Sequence, residues 1–279
     1  VWNHVTGTFA VASELARTRG KRAGVAAALS LAAVMSAPAP AADSAVQAGD
    51  TVNGGTLTNH DNQIVFGTAS GMTISTGLEL GPDSEENNGG QWIDNGGTAS
   101  NTTVTANGRQ VVMTGGTATD TVIHAGGGQS LRGQSVNTTL NGGEQWVHQG
   151  GRAVGTVINR DGYQTVKPGA VATDTVVNTG AEGGPDSDND ATGQLVAGMA
   201  LSTTVNRNGR QVIAGEGMAG ETTIQAGGDQ SVHGHALSTT LNGGNQYVHQ
   251  GGVAQNTVIN DGGWQVVKTG AVAENTTIN

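Results

Sequence analysis

Eleven glutamines punctuate this 279-residue chain at nearly regular steps. Gln63 opens the series. Gln91, Gln110, Gln129, Gln145 and Gln164 then stand 19, 19, 16 and 19 residues apart, and Gln194, Gln211, Gln230, Gln246 and Gln265 stand 17, 19, 16 and 19 apart. Two places after each comes Val, Ile or Leu, from Val65 and Ile93 to Val267. A short unit repeated this often predicts a solenoid, in which each repeat buries its apolar side only against its neighbours. Solenoids display long surfaces, which favours binding over catalysis.

A second motif runs between the glutamines, as Asn101-Thr102-Thr103-Val104, Asp120-Thr121-Val122-Ile123, Asn137-Thr138-Thr139-Leu140 and Asp174-Thr175-Val176-Val177. Gly-Gly pairs such as Gly96-Gly97 and Gly142-Gly143 separate the two motifs. Glycine accepts the positive φ of tight corners, and β-branched residues between corners read as short strands. One rung is therefore strand, corner, strand, corner. The predicted fold is all-β: a right-handed parallel β-helix of about 19-residue rungs, preceded by a signal peptide, with rungs stacked about 4.8 Å apart. Propeller blades are about twice as long, and leucine-rich repeats need Leu at fixed places, so neither fits.

Strand parity then assigns faces. Each glutamine shares parity with its aliphatic, and so does the Thr of the second motif. Both columns are expected to face inward, the glutamines as an amide ladder whose members satisfy one another. The opposite parity faces solvent. It forms a ribbon of Asn, Thr and Asp with almost no Lys or Arg, including Asn101, Thr103, Asp120, Asn137, Thr139, Asn141, Asp174 and Asn178.

The first 41 residues read as an extended signal peptide. Arg17, Arg19, Lys21 and Arg22 form a basic region, Gly24 to Ser36 an apolar stretch, and Ala39-Pro40-Ala41 a small-x-small cleavage site. Residues 42–279 are the expected β-helical part. Without residues 1–41 the chain keeps 8 basic against 21 acidic residues, a net charge of about −13, which argues against nucleic acid as a partner. There is no cysteine, hence no disulfide framework and no thiolate metal site.

A longer repeat overlies the short one. Residues 126–151 match 227–252 at an offset of 101, with 17 of 26 positions identical. Gly81-Pro82-Asp83-Ser84 and Gly184-Pro185-Asp186-Ser187 correspond likewise, within acidic inserted loops expected near 78–90 and 181–193. Asp186 to Asp190 imitates the start of a calcium loop but lacks its Gly (Ala191 stands there) and its final Glu (Ala197). His148 and His249 are equivalent one super-repeat apart and too distant to share a metal, and His233-Gly-His235 falls short of the three or four ligands zinc takes. No catalytic cluster, cofactor site or metal site is expected.

The chain is similar to the passenger region of the AIDA-type self-associating autotransporter adhesins. The resemblance is carried by Val1-Trp2-Asn3-His4 through Ala12 to Arg17, by Thr51 to Leu57, by Asn59 to Gly67 and by the tandem rungs. It implies a surface protein of a Gram-negative bacterium, exported through the inner membrane, also released in some cases, and held by a C-terminal translocator barrel that is expected beyond Asn279. The missing initiating Met and a stop within a repeat are expected of a piece of a longer chain. The resemblance also implies autoaggregation and biofilm formation by antiparallel homophilic pairing. The ribbon is the expected contact face, with Thr73, Asn101, Thr103, Asp120, Asn137, Thr139, Asn141, Asp174 and Asn178 as its contact residues. The alternatives are adhesion to host glycans or matrix protein, and cleavage of a polysaccharide.

Overall fold

The computed structural model describes residues 43–78, 89–180 and 193–279, together with the backbone of two short strands near the start. Those two, Trp2–Asn3 and Thr8–Phe9, pair antiparallel within the unit Val1–Pro38, and the rest belongs to a second unit, Ala39–Asn279. The signal peptide expected over 1–41, apart from those strands, and the acidic loops expected near 78–90 and 181–193, apart from their outermost residues, lie outside the described residues.

The second unit is a parallel β-helix. One sheet of 12 strands carries the glutamines, and another of 22 strands carries the remaining sides of the rungs. Pairing between successive rungs is parallel and keeps glutamine on glutamine, as in Gln91 on Gln110, Gln110 on Gln129 and Gln129 on Gln145. Rungs of unequal length hold this register because their corners absorb the extra residues. At one such corner Gly96 has φ +81°, and a Cβ on Gly97 would collide with the Val65 carbonyl, so both positions require glycine.

From Gly90 onward each rung has three strands where the sequence suggested two, while the two rungs before it carry one long strand, Thr51–Leu57 or Thr68–Ile74, in place of the second and third. In one three-stranded rung, Arg109–Val112 is followed by Thr117–Thr119 and then by Val122–His124. The Asn/Asp of the second motif is not the first residue of a strand but a corner between two. Asn101, Asp120, Asn137 and Asp174 have φ of 52°, 52°, 57° and 56°, and Ser202, Glu221, Ser238, Asn256 and Asn275 repeat the conformation. Asn and Asp visit the left-handed region at least cost among non-glycine residues because their short polar chains bond locally. The residue type expected of a solvent-facing strand position therefore also builds the corner.

The interior has two apolar stacks and a polar seam. One stack contains Val104, Ile123, Leu140, Ile158 and Val177, and the other Val112, Leu131, Val147 and Val166 with Ala118, Ala153 and Ala172. Between them runs the glutamine ladder. Ten hydrogen bonds of 2.6 to 2.9 Å join all eleven glutamines, each Nε2 donating to the Oε1 of the rung before. Buried Thr hydroxyls cross the interior to the same oxygens, Thr121 to Gln110, Thr156 to Gln145 and Thr257 to Gln246, at 3.2 to 3.3 Å. A buried amide without partners costs about 1–3 kcal/mol, so the seam is tolerated only because it is continuous.

Candidate self-association face

Three columns of side chains run along the outer side of the 22-stranded sheet. The corner column is exposed and contains Asn101, Asp120, Asn137 and Asp174. The middle column contains Thr73, Thr103, Val122, Thr139, Val157 and Val176, paired rung on rung and half-buried. The third column places His124 beside Asn141 and Asn141 beside Asn159, followed by Asn178 and Asn206. All nine residues expected from the sequence are on this face: Thr73, Thr103 and Thr139 in the middle column, Asn141 and Asn178 in the third, the other four at the corners.

The third column is an external amide ladder. Asn159 Nδ2 donates to Asn141 Oδ1 at 3.2 Å, Asn178 to Asn159 at 2.8 Å and Asn206 to Asn178 at 2.8 Å. Each amide has two N–H groups and two lone pairs, so these ladder bonds leave donors and acceptors directed at solvent. At the corner column, Asn137 Nδ2 donates to Asp120 Oδ1 at 3.1 Å. The face is thus a set of short, mutually oriented hydrogen-bonding groups with little rotamer freedom to lose. Asn159 completes the ladder, and the sequence motif did not reveal it because its rung has Gly155 at the corner. Glycine satisfies the same positive φ (69°), so a motif allowing Gly as well as Asn or Asp would have found it.

Elsewhere the structure brings together what spacing kept apart. His233 and His249, one rung of 16 residues apart, stack with ring centroids 4.2 Å apart and planes 18° apart. Parallel rings at this separation do not converge their nitrogens on one ion. Among the described residues no group of three or more His, Cys, Asp or Glu could hold a metal ion. Arg109 and Arg210, equivalent across the super-repeat, are both buried, Arg109 with its guanidinium 5.3 Å from the centre of the Trp92 ring. Partial burial raises the Glu144 carboxyl above its ordinary value, although the residue as a whole stays exposed.

Residues 1–42 match the family described as Extended Signal Peptide of Type V secretion system. The β-helix is similar to a solved structure described as the crystal structure of a TibC-catalyzed hyper-glycosylated TibA55-350 fragment. That match has 32% identity and a TM-score of 0.73, and covers 85% of this chain and 82% of that one. The chain belongs to the AIDA-type autotransporter adhesins. Its extended signal directs it into type V secretion, across the inner membrane and on to the Gram-negative cell surface.

Proposed function

We propose that this adhesin, whose rungs and mature start resemble those of antigen 43, makes cells aggregate and build biofilm by pairing with copies of itself on facing cells. The pairing is antiparallel, through the Asn/Thr/Asp face, and a C-terminal barrel in the outer membrane holds each copy. The observation that carries this reading is the in-register stacking, along one face, of an Asn/Asp corner column, a mixed Thr and Val column, and the Asn141–Asn206 amide ladder. Such a face is self-complementary under a two-fold axis, because every Asn and Thr both donates and accepts. Each bond nets about 0.5–1.5 kcal/mol, so a single pair of rods binds weakly and many rods on two cells bind firmly. The acidic charge of both partners opposes contact, and aggregation should weaken as salt is lowered and screening falls.

The test leaves the fold in place. Asn101, Asp120, Asn137 and Asp174 are each replaced by Gly, which keeps the positive-φ corner. Thr103 and Thr139 are replaced by Val, the residue found at positions 122, 157 and 176 of the same column, and Asn141 and Asn178 by Ala, which breaks the external ladder. Cells displaying this variant should no longer settle, while its circular dichroism stays that of the parent. Settling at the parental rate would eliminate the face as the contact. In mixed cultures, aggregates that take up bystander cells lacking the protein as readily as producers would show that the pairing is not homophilic.

A further inference from the structure

On another edge, where the glutamine strands end, one side chain per rung follows the buried aliphatic. Up this column stand Phe66, Asp94, Met113, Arg132, His148, Lys167, Ala197, Ala214, His233, His249 and Lys268. The rung itself sets no requirement here, since Phe, Asp, Met and Ala all occupy the place. Permanent cations stand here at Arg132 and Lys167, with the buried His148 on the rung between them, whereas the equivalent places one super-repeat later hold His233, His249 and Lys268. Leu131, Val147 and Val166 pair in register, so Arg132, His148 and Lys167 follow one another at about 4.8 Å. Arg152 flanks them on the adjoining strand, where it pairs with Gln134 and Val171. Thus three of the 8 Lys and Arg of an exported chain carrying 21 acids share one ledge. The nearest acid of the column, Asp94, lies two rungs below Arg132.

Between Arg132 and Arg152 is a shallow hollow of about 270 Å³, lined also by Thr114, Thr117 and the glycine corners at Gly115 and Gly150. Its side-chain donors are two guanidinium forks, two hydroxyls and the Gln134 amide. Planar forks bind tetrahedral or planar oxyanions through paired charge-assisted hydrogen bonds. The equivalent place one super-repeat later has His233 for Arg132 and Val253 for Arg152, so the cationic hollow is local to the first super-repeat and not a demand of the fold.

We infer that this ledge binds a sulfated polysaccharide, one sulfate ester seated between Arg132 and Arg152 and the next anionic groups running past His148 toward Lys167. A few cations on an acidic rod suit a polymer with spaced anionic groups. Nucleic acid, with a charge every ~1.7 Å, needs a wider basic footprint. The inference is independent of self-association, which uses the Asn/Thr face.

The two super-repeats supply a test in which both variants use residues the rung already accommodates. The exported chain is applied to immobilised dextran sulfate, with neutral dextran as control, over a rising salt gradient. The parent should be retained on dextran sulfate alone and released as salt rises. Arg132→His with Arg152→Val should weaken binding about tenfold, and His233→Arg with Val253→Arg should strengthen it by adding a second hollow. Circular dichroism and the thermal midpoint confirm that each variant is folded. No retention on dextran sulfate, or retention that neither exchange alters, would overturn the site. Tighter retention on duplex DNA than on dextran sulfate would overturn the choice of partner.

Discussion

Residues 126–151 and 227–252 are the same segment built twice, and the glutamine ladder is what the two copies share most strictly. The ladder and one aliphatic column are kept: Gln129 and Gln230, Gln145 and Gln246, Leu140 and Leu241; two other buried positions change, Leu131 to Val232 and Ser135 to Ala236. One group of differences is coupled. Gly128 lies under the Trp146 ring, and a Cβ there would collide with it. In the second copy Tyr247 replaces the Trp, and Asp229 takes the glycine's place and accepts from Asn245 Nδ2 at 2.8 Å. The first copy has Glu144 where the second has Asn245. The ladder therefore fixes the rung, while the outer surface is exchanged in small interlocking groups. Such groups are what distinguishes a basic ledge in one copy from a stacked histidine pair in the other.

The most severe way to break the comparison is to cut the ladder in each copy. Gln230→Leu leaves Gln246 Nε2 and Thr239 Oγ1 without their acceptor, whereas after Gln129→Leu the amide of Gln145 still has Ser135 Oγ. At about 1–3 kcal/mol per orphaned buried group, Gln230→Leu should cost about 4 kcal/mol and Gln129→Leu about 2 kcal/mol less, measured by urea denaturation. Equal losses would mean that the Ser135 bond contributes nothing. Next in size, Gly128→Asp alone should cost about 2 kcal/mol through overpacking, and adding Trp146→Tyr should recover most of it. A double variant no more stable than Gly128→Asp would refute the coupling.

The corners give a smaller, opposed pair. Asn137 and Ser238 occupy equivalent positions with φ 57°, and Asn tolerates that conformation better than Ser. Ser238→Asn should stabilise and Asn137→Ser destabilise, each by about 0.5–1 kcal/mol in thermal melts. The smallest effect is expected at Glu144, whose carboxyl is raised by partial burial. Between its ordinary and its raised value the native state binds more protons than the unfolded chain, so stability falls as pH rises through that window. Glu144→Asn removes this cost. It should raise the melting temperature slightly at neutral pH, with the gain disappearing as pH falls into the ordinary carboxylate range. Solvent screening at an exposed residue keeps the shift small. A gain that persists in acid would assign it to the hydrogen bonding of the new amide rather than to the loss of charge.

The glutamine ladder was legible in the sequence because its signal is periodic twice over, in rung spacing and in strand parity, and both point to the interior. The aliphatic and Thr columns followed from the same parity. The third side of the rung was not legible. Asn101 and its equivalents look like strand residues to a two-residue period, and parity carries no information through a left-handed corner. The bonds from Thr121 and Thr257 across to the glutamines were hidden for a related reason: they span about half a rung, a relation no repeat in the sequence displays. Rung length concealed the His233–His249 stack, because a 16-residue step puts into contact two residues that a uniform 19-residue step would separate. The contact face was readable as composition, while its amide ladder depended on Asn159, which the glycine at 155 removed from the motif.

The ladder's hydrogen bonds all point one way, with each amide's N–H toward the start of the chain and each C=O toward its end. The interior is thus a column of aligned dipoles, a side-chain counterpart of the partial charges that accumulate along an α-helix. Its links span 16, 17, 19, 28 or 30 residues yet are chemically the same link. An insertion or deletion is therefore judged only by whether the next glutamine returns to its place. Whole turns can be gained or lost without leaving an unmatched amide, and a shift of one residue cannot. The molecule counts in integers, and a lineage can lengthen or shorten it by recombination while every intermediate remains a closed stack.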